Sequence, residues 1–159
     1  MTAGATVQLQ AHDLDLFECL HDCRFLTTSQ ITRTFFGHKN SASRRLKRLT
    51  DAGYLASQQR TATSQAVWWL QKRAVSALIE AGRIKSGDSR WTWKQSQSHV
   101  RYKEHEAAAN DIYLALRESI VDEPQVVIES WRAGQRLHDF VIDRTGRRYP
   151  VRPDRFLEL

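Results

Sequence analysis

The sequence is poor in cysteine and has no long hydrophobic run, and each absence excludes a class of protein. Its two cysteines, Cys19 and Cys23, lie four positions apart, which excludes the disulfide framework of a small secreted protein. No uninterrupted apolar stretch approaches the roughly 20 residues that a membrane-spanning helix needs. The first residues show no basic start followed by an apolar run. We therefore expect a cytoplasmic protein without a secretory signal and without a membrane partner.

Proline and glycine are also scarce, with 3 and 7 residues, whereas 41% of the residues are hydrophobic and 26% are charged. This is the composition of a folded globular chain, and it argues against disorder. At 159 residues the chain can bury enough surface to fold as one domain or two small ones, without a metal or a disulfide.

Acidic charge is almost absent from one part of the chain. The whole sequence has 24 Lys and Arg against 18 Asp and Glu, a formal net charge of +6. Residues 24–73 hold ten basic residues and one acid, Asp51, so this window carries +9 and the rest of the chain −3. Segregated positive charge is typical of nucleic-acid-binding proteins, although a solvated basic face would give the same count.

Apolar spacing predicts three helices in the first half. The first covers residues 13–23 and the second covers about residues 28–36, where Gly37 ends it in a left-handed conformation. The third covers residues 41–52. Its apolar stripe consists of Ala42, Leu46, Leu49 and Gly53.

The third helix is strongly basic on its other side. Four basic residues fill five positions with no acid on the same turn, and we expect them to face solvent and bind DNA: Arg44, Arg45, Lys47 and Arg48. Thr28, Ser41 and Ser43 lie near helix N-termini, where they can donate to phosphates or serve as caps. A basic helix after a helix and a turn is the helix-turn-helix arrangement, in which the last helix enters the major groove. A three-helix bundle with a solvated third helix is the alternative.

A hairpin and a fourth helix are predicted next. Residues 54–57 and 66–70 have strand character, and the polar stretch 59–65 between them forms a tip that carries Arg60. We expect Arg60 to reach a minor groove or a phosphate. A helix over residues 72–80 completes the order of a winged helix-turn-helix.

The second half predicts a small α+β unit. Polar residues 85–99 have the composition of a linker or an edge hairpin, and residues 102–119 form one long helix. Extended segments are predicted at residues 126–131, 136–143, 149–154 and 156–159. The fold class is therefore α+β, with a winged helix-turn-helix DNA-binding domain at residues 1–84 and a small α+β domain at residues 100–159.

Two groups of residues offer metal or catalytic chemistry, and neither has the pattern that such chemistry needs. His12, Cys19, His21 and Cys23 lie on one helix, whereas zinc draws its ligands from separated elements. Glu104, His105, Glu129 and Asp154 contain the carboxylates of a metal-dependent nuclease, but no Glu-x-Lys follows Pro153-Asp154. We expect no catalytic residue, no metal and no cofactor.

Several stretches carry a resemblance to a known family. In the first half they are RFLTTSQI at residues 24–31, FF at 35–36 and RRLKRLTDAGYL at 44–55. In the second half they are residues 70–82, His105 with Asn110-Asp111, Trp131, and Arg152-Pro153-Asp154. Over residues 13–157 the chain resembles the replication-relaxation family of winged-helix proteins, found on plasmids and other mobile elements. The resemblance implies DNA binding tied to plasmid replication, mobilisation or transcriptional control.

The chain departs from the family at its end. Family members usually follow the Arg-Pro-Asp strand with a strand that carries acidic residues, an arrangement similar to restriction-nuclease folds. This sequence stops at Leu159, so residues 100–159 are expected to dimerise or to form a truncated nuclease-like unit, unless Glu158 replaces the missing acid.

Three functional hypotheses follow from these observations. The first is a sequence-specific double-stranded DNA-binding protein, a homodimer that acts as a transcriptional regulator or as an accessory factor of replication or mobilisation. The second is a metal-dependent DNA nickase or nuclease that the winged helix directs to its target. The third is an interaction module whose basic helix meets an acidic protein surface.

Overall fold

The computed structural model of the 159-residue chain describes residues 7–88, 97–123, 125–133, 139–151 and 155–158. The chain divides into two compact units, Met1–Asn110 and Asp111–Leu159. Helices and small antiparallel sheets confirm the predicted α+β class. No helix among the described residues is long and apolar enough to cross a membrane.

Among the described residues, the first unit contains the predicted elements in the predicted order, together with a short strand after the first helix and a further helix at its end. Its elements are α1 (Ala11–Cys23), β1 (Leu26–Thr27), α2 (Thr28–Ile31), a π-helical turn (Thr32–Phe36), α3 (Lys39–Asp51), β2 (Leu55–Gln58), β3 (Val67–Leu70), α4 (Lys72–Glu80) and α5 (Val100–Ala109). A short 3₁₀ turn, Ser86–Asp88, follows α4. The sequence placed the division between domains at residues 85–99, of which 89–96 lie outside the described residues. In the structure α5 groups with the first unit instead.

Local signals fix the ends of α2 and α3. Thr27 and Gln30 form a capping box, in which the Gln30 N–H donates to the Thr27 hydroxyl and the Thr27 N–H donates to Gln30 Oε1 over 2.8 Å. Gly37 has φ of +68° after the π-helical turn, as predicted, and Gly53 has φ of +76° after α3. The Tyr54 N–H then donates to the Leu49 carbonyl, which ends α3 in a hydrogen-bonded cap.

The predicted apolar stripes form the core of the first unit. Ala42, Leu46 and Leu49 of α3 are fully buried, as are Leu16 and Phe17 of α1. Burying one such leucine or phenylalanine contributes about 1.5–3 kcal/mol, so these stripes hold α3 against the unit.

The three-stranded antiparallel sheet has the order β1-β3-β2, and its central strand is covered on both faces. Neighbouring side chains of a strand point to opposite faces, and Val67, Trp69 and Leu70 are all buried. Helices α1, α4 and α5 all contact β3. Val67 and Trp69 share an apolar cluster with Phe25 and with Ala107 of α5. Helix α5 is therefore part of the core of the first unit.

Helix α5 also brings a buried lysine to this sheet. The Lys103 ammonium lies 3.8 Å from the centroid of the Trp69 ring and donates to Gln58 Oε1 over 2.9 Å. Burial lowers the pKa of Lys103 because the charged form loses its water.

The predicted single helix over residues 102–119 is wrong, because the chain forms two helices, α5 and α6 (Asp111–Ser119). Between them the buried Asn110 side chain donates to the Cys23 and Phe25 carbonyls over 2.9 and 2.8 Å. These bonds satisfy two backbone acceptors at the start of β1, and they fix the end of α5.

The second unit contains two short antiparallel ladders. After α6 and a 3₁₀ turn (Ile120–Asp122), β4 (Ser130–Ala133) pairs with β7 (Arg155–Glu158), and β5 (Asp139–Ile142) pairs with β6 (Arg148–Val151). Tyr113 stacks on Trp131 with 5.0 Å between ring centroids. The predicted strand over residues 126–131 begins only at Ser130. The Arg152-Pro153-Asp154 motif lies outside the described residues.

Candidate nucleic-acid interface

The solvent side of α3 carries most of the residues predicted to bind DNA. Ser43, Arg44, Lys47 and Arg48 are exposed, and Ser41 is half-buried. Among the described residues, the side chains of Arg44 and Arg48 take part in no hydrogen bond and no ion pair. All the donors of their guanidinium groups are therefore available to a ligand. A guanidinium group can form bidentate hydrogen bonds with a guanine edge or with a phosphate.

Lys47 has one local partner. Its ammonium lies 2.7 Å from the Asp51 carboxylate one helical turn away, and both side chains are exposed. An exposed pair of this kind contributes little, about 0.3–0.5 kcal/mol, because water and salt screen it. Lys47 can exchange this carboxylate for a phosphate at small cost.

The prediction that Arg45 faces solvent is wrong. Its guanidinium makes a two-pronged ion pair with Asp13 of α1, which is fully buried, and it donates to the Gln8 carbonyl over 3.0 Å. Residue 45 follows Ala42 by three positions and precedes Leu49 by four, so it lies on the flank of the buried stripe. The Asp13 carboxylate raises the pKa of Arg45 above its already high ordinary value through hydrogen bonding. Arg45 thus holds α3 against α1.

The hairpin tip, residues 59–65, is a structured turn fastened to α2. The Ser64 hydroxyl accepts from the N–H groups of Arg60 and Thr61 over 3.1 and 3.0 Å. Gln59 donates to the Ser64 carbonyl, and the Ser29 hydroxyl lies 2.7 Å from Gln65 Oε1. These bonds fix the tip relative to α2 before any ligand binds.

Arg60 has a partner that the sequence did not indicate. Its guanidinium lies 3.3 Å from the Glu104 carboxylate of α5, and about half of the Arg60 side chain remains exposed. The sequence offers Glu104 as a carboxylate of a metal-dependent nuclease. In the structure its carboxylate instead pairs with Arg60 and so connects the hairpin tip to α5.

The Thr28 hydroxyl is engaged within the protein. It donates to the Ala66 carbonyl over 3.3 Å and accepts from Trp68 Nε1 over 2.9 Å. Thr28 therefore joins the start of α2 to β3, and its side chain lines the groove described next.

A groove of about 580 Å³ lies between the exposed side of α3 and the hairpin tip. Its lining from α3 includes Lys39, Ser43, Lys47 and Thr50, and its lining from the hairpin includes Ser57, Gln59, Thr63, Gln65 and Trp68. The sequence did not assign Lys39, Thr50 or most hairpin residues to the interface. The hairpin residues come to lie opposite α3 only through the pairing of β2 with β3. The lining also contains the Asp51 carboxylate and apolar side chains, but its hydroxyl, amide and ammonium groups are suited to phosphate oxygens.

The residues considered for metal chemistry are dispersed. In the described part of the chain, no three His, Cys, Asp or Glu side chains come together as a metal site. Cys19 and Cys23 are fully buried residues of α1. His105 and Glu129 are exposed, and Asp154 lies outside the described residues.

One comparison with known proteins gave a match. The family model described as replication-relaxation matches residues 17–159, nearly the whole chain. No curated protein and no solved structure matches it.

Proposed function

The chain belongs to the replication-relaxation family, which is associated with the replication of plasmids and mobile elements, and from that premise we propose that it is a sequence-specific double-stranded DNA-binding protein. In this proposal it acts as a transcriptional regulator or as an accessory factor of replication or mobilisation. The order of elements from α1 to α4 supports assigning a winged helix-turn-helix to the first unit, with α3 as the recognition helix and residues 59–65 as the tip of the wing.

One observation carries the proposal. Arg44, Lys47 and Arg48 are all exposed on α3. Lys47 also lines the groove between α3 and the hairpin tip, whereas Arg44 and Arg48 lie beside it. A helix with unpaired guanidinium groups fits the major groove, while the hydroxyl and amide groups of the tip reach the neighbouring phosphates. The exposed basic residues Arg44, Lys47 and Arg48 outnumber the one exposed acid of α3, Asp51, so this side of the helix is positively charged.

The proposal extends to the assembly and to the chemistry. We propose a homodimer, because two recognition helices reading a two-fold site is the common solution for such domains.

We assign the chain no catalytic role. Supercoiled plasmid incubated with the protein and Mg²⁺ or Mn²⁺ is expected to stay intact, and nicking that Asp154→Ala removes would replace this proposal with the nuclease hypothesis.

The proposal is tested by measuring duplex affinity across a salt series. A bound duplex is first selected from a random pool, and its dissociation constant is then followed by fluorescence anisotropy. We expect affinity to fall steeply with salt, and Arg48→Ala to lower the slope of log K against log salt by about one. Lys85→Ala is the control, because it removes the same charge from an exposed site away from α3. An affinity that does not change with salt concentration would contradict DNA binding by this protein.

A further inference from the structure

The β5–β6 hairpin of the second unit is exposed on both faces. Every described side chain of its two strands is exposed, and its large apolar residues are between 38% and 58% exposed: Phe140, Val141, Ile142, Tyr149 and Val151. A two-stranded ribbon with so much apolar surface in water is unusual for a small unit, and it indicates a surface that meets a partner.

The turn of this hairpin is strongly basic. Arg144, Arg147 and Arg148 fall within five positions that hold no acid, a density close to that of α3. Each strand face near the turn carries one arginine laid over an aromatic ring. The Arg148 guanidinium lies 4.4 Å from the Phe140 centroid, and the Arg147 guanidinium lies 5.5 Å from the Tyr149 centroid. The charge is thus presented on both faces of the ribbon.

The turn holds these arginines in a fixed arrangement. Asp143 Oδ1 accepts from the N–H groups of Thr145 and Arg147 over 2.8 and 3.0 Å, and Oδ2 accepts from the Tyr149 hydroxyl over 3.2 Å. Gly146 has φ of +83°, which closes a three-residue loop. The hydrogen bonds lower the pKa of Asp143, so its carboxylate is a stable acceptor within the turn. Because the backbone of this turn is already ordered, the chain loses little conformational entropy there when the arginines bind a ligand.

We propose that the β5–β6 hairpin is a second DNA contact of this protein, in which Arg144, Arg147 and Arg148 bind phosphates of double-stranded DNA. A DNA groove admits a two-stranded ribbon and has a phosphate backbone on each side, which matches a ribbon with an arginine on each face. The exposed apolar side chains then lie against sugars and base edges. The inference takes its partner, duplex DNA, from the proposed function, but it concerns a different unit of the chain.

Charge distinguishes this partner from a second copy of the chain. Pairing two copies through this hairpin would bring the two sets of arginines together, and like charges in an interface cost free energy. A duplex offers the opposite charge over the whole length of the turn.

The test uses the full chain and the duplex selected above. Replacing Arg144, Arg147 and Arg148 together by alanine is expected to lower the salt slope by about three and to leave the far-ultraviolet circular dichroism unchanged. Replacing the same three residues by lysine keeps the positive charge, so the salt slope is expected to return to the wild-type value. If the alanine variant lost slope only because the hairpin misfolds, the lysine variant would not restore it. Lys85→Ala is again the control.

The outcomes separate this inference from the proposed function. If Arg48→Ala weakens binding while the alanine hairpin variant keeps the full salt slope, the hairpin contact is wrong and the α3 contact stands. If the hairpin variant instead changes the sedimentation coefficient without changing the slope, the surface joins copies of the chain and the inference is overturned. If the wild-type chain binds no duplex, both fail together.

Discussion

Arg45 and Asp13 form an ion pair across the first unit, between the first turn of α1 and the middle of α3. Arg45→Ala would remove the guanidinium from the fully buried Asp13 carboxylate, which keeps the Gln10 N–H at 2.7 Å and the His12 ring at 3.5 Å. We expect a loss of about 3–5 kcal/mol in the free energy of unfolding, the usual cost of removing one partner of a buried pair. Urea denaturation followed by circular dichroism measures it.

Arg44→Ala is the matched control, since its side chain is exposed on the same helix and is expected to change stability by less than about 0.5 kcal/mol. Equal stability of the two variants would show that the pair does not hold α3 in place.

Lys103 makes stability depend on pH in the alkaline range. Its pKa in the folded state lies below the ordinary 10.5, so below that lowered pKa both states are charged and the folded state bears the full desolvation penalty. As pH rises toward 10.5, the unfolded state binds more protons, and the folded state gains stability.

The difference in unfolding free energy between wild type and Lys103→Met is therefore expected to shift in favour of wild type between about pH 7 and pH 10.5. Urea titrations at the two values measure it, and the subtraction cancels the other titrating groups. A shift in favour of the methionine variant would contradict burial of the charged ammonium.

At the scale of elements, the ion pair between Arg60 of the hairpin tip and Glu104 of α5 connects these two elements. In the proposed complex with DNA, Glu104 would compete with phosphate for the Arg60 guanidinium, and its own charge would repel the duplex. Glu104→Gln is expected to steepen the salt slope of duplex binding by about one, because Arg60 becomes available to a phosphate. Anisotropy titrations measure the change.

Glu80→Gln, an exposed acid on α4, controls for the loss of one negative charge. If both glutamine variants bind alike, Arg60 takes no part in the interface.

Helices α2 and α3 are predictable because their signals are local. Leu46 and Leu49 repeat at helical spacing, and Gly37 and Gly53 end helices through positive φ, so short stretches of sequence determine where α2 and α3 end. The π-helical turn before Gly37 has no comparable signature in sequence.

The errors arose where a partner lies far along the chain. The break at Asn110 depends on carbonyl groups 87 and 85 positions earlier, and the inward turn of Arg45 depends on an aspartate 32 positions earlier. No local pattern identifies such partners, and a charged residue beside an apolar stripe is placed at the surface by default. The run Val67 to Leu70 did hold a clue, since four apolar residues without alternation indicate a strand covered on both faces.

At the scale of the whole molecule, the first unit is expected to need residues beyond positions 1–84, the stretch that the sequence predicts as a winged helix. A chain of residues 1–110 is expected to unfold cooperatively, whereas a chain of residues 1–84 lacks α5 and exposes Val67, Trp69 and Phe25. Thermal melts and binding of a dye that reports exposed apolar surface compare the two. A cooperative, dye-free melt of the shorter chain would place the domain boundary where the sequence alone placed it.

The two thiols of α1 lead to a practical consequence. Cys19 and Cys23 are both fully buried in the folded protein, so an alkylating reagent reaches them only when α1 separates from the rest of its unit. The rate at which the two cysteines are alkylated then reports how often the core opens transiently, and mass spectrometry can measure that rate in a crude extract. The protein carries its own reporter of how firmly α1 is held, with no engineered label.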